Sequence, residues 1–287
     1  MKQLIVNADD LGADEARNAG IFEAIQQGCI TSVSLFANGP ALKDALRRLR
    51  SLGRRTVSIG VHFNLSEGKP VAPDLRLLTG PDGSFTGKTS THALLMRSGD
   101  QALQKEIRRE MSAQMKGLLD SGIQIDHLDG HQHVHLFPAA IGSAVRIAQE
   151  VKVPWMRIPE EPPVQDAAGS FPDGLLEEAR RFSDIARQAR KHLQGTAILT
   201  TDHFRGLYLK GRLSLSTLKG LLQTLPKGLT ELMVHPGRIP PTPLPGPFSA
   251  FSTPARELEL ETLLHVDFRL ALSEAGVTLT PFPEECR

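Results

Sequence analysis

Short apolar runs rich in β-branched residues alternate along the chain with stretches whose apolar positions recur every three or four residues, and this predicts strand and helix in repeated succession. "QLIVNA" (3–8) is the first run. "DEARNAGIFEAIQQG" (14–28) follows with Ile21, Phe22 and Ile25 on one helical face, Asp14 placed to cap it and Gly28 to stop it. "ITSVSLFA" (30–37) and "TVSIGVHF" (56–63) read as strands around a helix at 40–53. Leu103, Ile107, Met111, Met115 and Leu118 mark a long helix before a strand at 123–131. Further strands are expected at 153–158, 196–202, 229–235 and 277–282, with one capped helix near 254–275. About seven or eight strands joined by helices imply a parallel sheet, and right-handed crossovers over that many units commonly close on themselves. The expectation is α/β: a single domain over 1–287, a deformed parallel β/α barrel. Two Gly- and Pro-containing stretches, 64–100 and 236–254, break the rhythm and read as long loops beside a binding site, the first with room for a small hairpin.

Charge narrows the partner. Thirty-three basic and thirty-two acidic residues leave a formal net charge of +1, so no global field favours nucleic acid or an anionic membrane. A small molecule is expected instead. No apolar run approaches about 18 residues and the first residues lack a signal-peptide pattern, so the expected location is cytoplasmic. Cys29 and Cys286 form no metal or redox spacing. One Trp, one Tyr and twelve Phe leave few rings for stacking on sugars; Phe85, Trp155, Phe204, Phe248 and Phe251 are the best placed, which suits a small pocket better than a long groove.

The chemistry-bearing residues cluster at strand ends. Asp9 and Asp10, His62, His131, Arg157, Asp202 and His203, and His235 each close a predicted strand, and in a parallel barrel those ends share one face. A lone histidine there is usually just a hydrogen-bonded one. "HLDGHQHVH" is a stronger signal, because His131, His133 and His135 alternate beside Asp129, although His133 and His135 also suit substrate-contact or supporting roles. His92, His192 and His265 receive no role. Two imidazoles and one carboxylate leave coordination positions open for water and substrate, and a second carboxylate beside them can act as general base. Of Asp9 and Asp10, one would ligate and the other would face the water; the residues alone leave open which. His235 would protonate a leaving amine, Arg157 or a backbone N–H would steady the oxyanion, and His133 and His203 would contact substrate. Together these compose a metal-assisted amide hydrolysis.

"NADDLG", "ITSVSLFANGPA", "SIGVHFNLSEGKP", "HLDGHQHVHLFP" and "GLTELMVHPG" resemble, in order and approximate spacing, the YdjC-type carbohydrate deacetylases, which include chitooligosaccharide deacetylases and hopanoid-pathway relatives. The resemblance runs from residue 3 to about 275. It implies a deformed β/α barrel that removes N-acetyl groups from amino sugars with one divalent metal, Mg or Zn first, with Mn and Co also suitable. It implies Asp9 as proton acceptor, Asp10, His62 and His131 as metal ligands, and His235 as general acid. Leu11 stands where Phe is usual, and Gln132 interrupts a cluster that can be all histidine; neither removes a ligand. The expected partner is an N-acetylated sugar or glycolipid, and a homodimer is left open. A non-haem Fe(II) oxygenase and an inactive sugar-binding barrel are the rival readings, and Asp9 counts against both.

Overall fold

In a computed structural model, residues 1–52, 57–164, 171–242, 246, 248 and 253–284 are described. Phe251, Cys286 and the expected end of a helix at Gly53 and start of a strand at Thr56 lie outside them. The chain runs β1 (Lys2–Leu11), α1 (Glu15–Gln26), β2 (Ser32–Leu35), α2 (Leu42–Ser51), β3 (Ser58–Phe63), α3 (Lys88–Leu95), α4 (Gln101–Asp120), β4 (His127–Gly130), α5 (Ile141–Val151), β5 (Trp155–Met156), α6 (Leu175–Ala189), β6 (His203–Arg205), α7 (Leu215–Thr224), β7 (Gly228–Val234), α8 (Pro254–Leu264), α9 (Val266–Ala275) and β8 (Val277–Leu279). Every strand pairing is parallel, in the order β5-β4-β3-β2-β1-β7-β6, with β8 on the first residues of β1. The sheet curls, and its β5 edge meets the segment before β6 through a bridge between Trp155 and Leu199. The result is the expected deformed barrel.

Strands buried on both faces sort their side chains by alternation. Leu4, Val6 and Ala8 of β1 join Ile21, Phe22 and Ile25 of α1 in the main core, while Ile5 joins Trp155, Leu229 and Phe282 inside the curl. All five predicted apolar positions of α4 are buried against the same core. Phe282 closes the bottom of the curl, stacked on His127 at 4.4 Å, and the Trp155 indole donates to the Pro283 carbonyl at 3.0 Å. Asn7 and Asp9 follow Ile5 on the same face and therefore point into a polar upper interior. Asp14 caps α1 as expected, and Gly28 ends it with φ 66°.

Three expectations change. The 196–202 run is not a strand: Leu199 pairs with β5, Asp202 turns back to accept from the Leu229 N–H at 2.8 Å, and the strand begins only at His203. The 254–275 helix is two helices, because His265 adopts an extended ψ of 135° and its ring accepts from the Asp267 N–H. Within 64–100, α3 forms in place of the expected loop, while the antiparallel bridge of Thr79 to Phe85 agrees with the small hairpin allowed there. This segment is fastened down: the Glu110 carboxylate accepts from the Val71 and Ala72 N–H groups at 2.9 and 2.7 Å, and Glu106 accepts from Arg76 and Leu77. Among the described residues no helix is long and apolar enough to cross a membrane.

The tightest helix contact serves the top of the barrel. A Cβ on Gly20 of α1 would stand 2.7 Å from the Arg238 nitrogen and 2.8 Å from Gly237, in the segment that follows His235. Gly20→Ala should therefore cost about 1–3 kcal/mol in urea denaturation, the usual penalty of overpacking, whereas Gly117→Ala, with open space around it, should not destabilise.

Candidate active site

The top of β1 carries the device that lets two neighbouring acids share one cleft. Strict alternation would turn Asp10 away from Asp9. Instead the pairing with β2 slips between Ala8 and Leu11, and Asp10 takes φ 64°, which brings both carboxylates to the cleft. The other side of the cleft is strained in the same way: after β4 the chain turns through Gln132 and His133, at φ 52° and 57°. Five described non-glycine residues have positive φ, and three of them line this one cleft, which marks it as the place where strain is spent.

Asp9 is held rigidly. Arg157 meets it with two hydrogen bonds of 2.7 Å, and the Asn7 amide donates to Oδ1 at 2.7 Å. The same guanidinium reaches Asp129 Oδ2 at 2.8 Å and Glu231 Oε1 at 2.7 Å. Burial pushes the Asp9 carboxyl up from its usual range, with Arg157 and His62 pulling the other way. Burial also raises Glu231, to about 7, against the pull of Arg157. Asp129 goes down: burial opposes its charge, but Arg157 and His62 hold it well below the carboxylate range.

Asp10, His62 and His131 converge. His131 Nδ1 stands 3.0 Å and His62 Nε2 3.4 Å from Asp10 Oδ1. Two atoms each about 2.1 Å from one ion are about 3.0 Å apart at a right angle and about 3.4 Å at the tetrahedral angle, so the donors have the spacing of a shared divalent ion. His62 Nδ1 bonds Asp129 Oδ1 at 2.6 Å, which turns Nε2 towards Asp10, the arrangement that commonly orients metal-binding imidazoles. Asp9, His62 and Asp129 form a second set with ligand atoms within 4.8 Å of one another, but Arg157 already occupies both of its carboxylates. The first set is the better fit. Although burial works against the His62 cation, Asp129 and Asp9 push this imidazole up to about 10, a measure of how much negative charge faces it.

His235, just beyond β7, brings Nε2 to 4.0 Å from Asp9 Oδ2. Its backbone N–H donates to Glu259 of α8 at 2.6 Å, and Glu259 also holds Arg256 at 2.9 Å. Burial, with Arg256, keeps the imidazole well below its usual pKa and hence neutral. Phe36 sets its edge against both His62 and His131, at centroid distances of 4.9 and 5.2 Å.

Asp9, Asp10, His62, His131, His133 and His235 thus line one cleft. Arg157 does not reach it: the guanidinium is 0% exposed and sits behind Asp9. His203 lies elsewhere, paired with Thr230 near the start of β7, its Nε2 3.1 Å from the Lys227 carbonyl, because the strand begins rather than ends there. His135 is also behind the site, on the Arg157 carbonyl at 3.0 Å. Of the aromatics expected in a pocket, Trp155 belongs to the bottom of the barrel, Phe85 to the core, Phe204 lies under Arg157, and Phe248 packs on Phe36. Phe182 supplies the ring in the cleft. Asp129 was legible, since strand alternation in "HLDGH" sets it on one face with His127, and β3 pairs it with His62. The rim was not: Lys88, Glu178, Leu207, Lys210 and Arg256 come from separate segments with no local pattern. Glu178 joins Lys88 and Lys210 at 2.7 and 3.2 Å, and Glu161 accepts from the Gly206 and Leu207 N–H groups to set the loop that carries Lys210.

The model of the YdjC-like protein family matches residues 3–274. A carbohydrate deacetylase of Mus musculus is 36% identical over 96% of this chain and 93% of its own length. One of Brevibacillus brevis is 27% identical over 98% and 99%. Among solved structures, one from Enterococcus faecalis, named for a proposed cellobiose-phosphate cleavage, superposes with a TM-score of 0.71 at 24% identity over 98% of this chain and 97% of that one, a likeness of fold.

Two outcomes follow from the buried charges. Arg157→Met leaves Asp9, Asp129 and Glu231 without their shared cation, and should lower the urea-derived stability by about 3–5 kcal/mol; unchanged stability would mean that the three acids do not depend on it. Separately, burial lowers both His92 and His135 to about 4. The unfolded chain then binds more protons than the native one, so stability should fall as pH drops from about 6.5 to about 4, by up to about 1.4 kcal/mol per pH unit for each site. His92→Phe, set against Phe137 and Phe182, should flatten that slope in denaturation curves at pH 7 and pH 4.5.

Proposed function

The chain belongs to the YdjC-like protein family, and from that premise we propose that it is a metal-dependent carbohydrate N-deacetylase, hydrolysing the acetamide of an amino sugar on an oligosaccharide or glycolipid. The observation that carries this reading is the pairing, in one cleft, of a metal-type donor set at Asp10, His62 and His131 with a second carboxylate at Asp9 whose two oxygens Arg157 already engages. The relatives named carbohydrate deacetylases support the reaction class. When bound by Asp10, His62 and His131, a divalent ion supplies Lewis acidity at the acetamide carbonyl and lowers the pKa of water toward about 7. Two imidazoles favour Zn over Mg in that role.

The remaining work falls to the chain. Asp9 takes a proton from water as the oxygen adds to the carbonyl carbon; its raised proton affinity makes it a better base than an exposed carboxylate, and Arg157 and Asn7 fix its direction. Arg157 acts through Asp9 and does not touch the oxyanion. His235 enters neutral and stands 4.0 Å from Asp9, so the proton that it gives the departing amine is the one Asp9 has gained, relayed through one water between them before the C–N bond breaks. One water is consumed, and acetate and the sugar ammonium leave, the second proton of the water passing to the amine. His133, Leu207 and Phe182 shape the wall for the sugar, with Lys88, Glu178 and Lys210 at the rim.

Acetate release across a panel of N-acetylated sugars and glycolipids, with and without chelator, tests the reading. Oxygen uptake with Fe(II) and no acetate would replace it with an oxygenase. The two acids should fail differently. Asp9→Asn should keep metal but lose turnover by roughly 10²- to 10⁴-fold, because an amide cannot accept the proton. Asp10→Asn should lose metal affinity and recover partly in excess metal. The opposite rescue pattern would exchange the two roles.

A further inference from the structure

Arg17 occupies a position that helix stability does not explain. It lies in the first turn of α1, where a cation opposes the positive end of the helix macrodipole. Its side chain is 1% exposed, and burial lowers its pKa despite the acids around it. The helix does not need it as a cap, since Asp14 already accepts from the Arg17 backbone N–H at 2.7 Å. What the guanidinium reaches is the cleft: Nη1 donates to Asp10 Oδ2 at 2.9 Å, with Asp14 Oδ2 3.9 Å from Nε. Gly237 packs on its stem, closely enough that a Cβ there would stand 3.2 Å from Arg17 Cγ. The two oxygens of Asp10 are therefore divided, Oδ2 to Arg17 and Oδ1 to His131 and His62.

We propose that Arg17 is the standing counter-ion of Asp10: it cancels the single negative charge of the Asp10–His62–His131 set, holds divalent-cation affinity down, and so leaves a bound ion more of its charge for the substrate. The inference rests on the reading of Asp10 as a metal ligand. Two effects of Arg17 compete. Its hydrogen bond orients Asp10 and on that account would strengthen binding, as partners of ligating groups usually do. Its charge repels a dication. Orientation is already supplied by the slipped pairing and positive φ at Asp10 and by His131, so the hydrogen bond is largely redundant. The repulsion has no substitute, and in a buried site it is screened little.

The test is calorimetric titration of the metal-free protein with Zn²⁺ in a chelator-buffered series. Arg17→Gln and Arg17→Met, which remove the charge, should bind at least about tenfold more tightly, the scale of changes beside a ligating group. Both should show a larger Zn²⁺-induced rise in melting temperature than the parent. Arg17→Lys keeps the charge and should bind as the parent does. Equal or weaker binding in a folded neutral variant overturns the proposal, as does tighter binding in Arg17→Lys. If neither neutral variant folds without metal or with it, Arg17 is a stability element and the proposal falls. Absence of Zn²⁺ binding by the parent, or undiminished binding by Asp10→Asn, would instead remove the metal-site reading itself.

Discussion

The site depends on one buried guanidinium. Arg157 lies inside the curl of the sheet and meets Asp9, Asp129 and Glu231, three acids from three strands. Carboxylates this close in a low-dielectric interior repel one another, and without a shared cation at least one would have to take up a proton. Burial and Arg157 together settle how the charge is distributed. Asp129 is held in its charged form by Arg157 and His62 and orients His62, while burial raises the proton affinity of Glu231 and of Asp9 against the pull of Arg157. In the proposed mechanism, the division between ligand-orienting acid and proton-accepting acid begins there.

Backbone strain builds the rest. A regular strand would send Asp10 towards α1 and leave only Asp9 in the cleft. The extra residue in β1 and the left-handed Asp10 bring both in, and left-handed Gln132 and His133 turn the chain sharply after His131. Each such residue costs about 1–2 kcal/mol, and the surrounding barrel must hold it in place. Asp tolerates that conformation better than most residues because its short side chain can bond locally. The parallel sheet supplies the rigidity: β1 is hydrogen-bonded to β7 along most of its length and to β2 and β8 on its other edge.

Around this fixed centre the cleft wall is assembled from loops that carboxylates tie down. Glu110 and Glu106 hold the segment after β3, Glu161 holds the turn after β6, and Glu259 holds His235 through its backbone. The long segment at 64–100, which in composition resembles a lid, is thereby fastened to α4 along its first third. Lys88 and Lys210, from either side, meet on Glu178 of α6 at the mouth. The mouth of the cleft is thus built from segments far apart in sequence, while its buried acids and imidazoles sit at or just beyond strand ends.

The amino-acid sequence by itself determined the alternation of strand and helix, the parallel curled sheet, the cap of α1 and the group of acids and imidazoles at the strand ends, because periodicity and strand polarity are local properties that a single chain displays. It also pointed to His203, which lies outside the cleft, since "ILTTDH" has the apolar run of a strand and nothing local reveals that its pairing begins only at the histidine. Only the tertiary structure decided that Arg157 lies buried behind Asp9 and outside the cleft lining, that Asp129 bonds His62, that Arg17 reaches Asp10, and which residues form the rim. Those assignments depend on which buried charge finds which partner across more than a hundred residues of chain, as between Arg157 and Asp9. Electrostatic pairing in a desolvated interior is set by distance in space, and a linear pattern does not contain that distance.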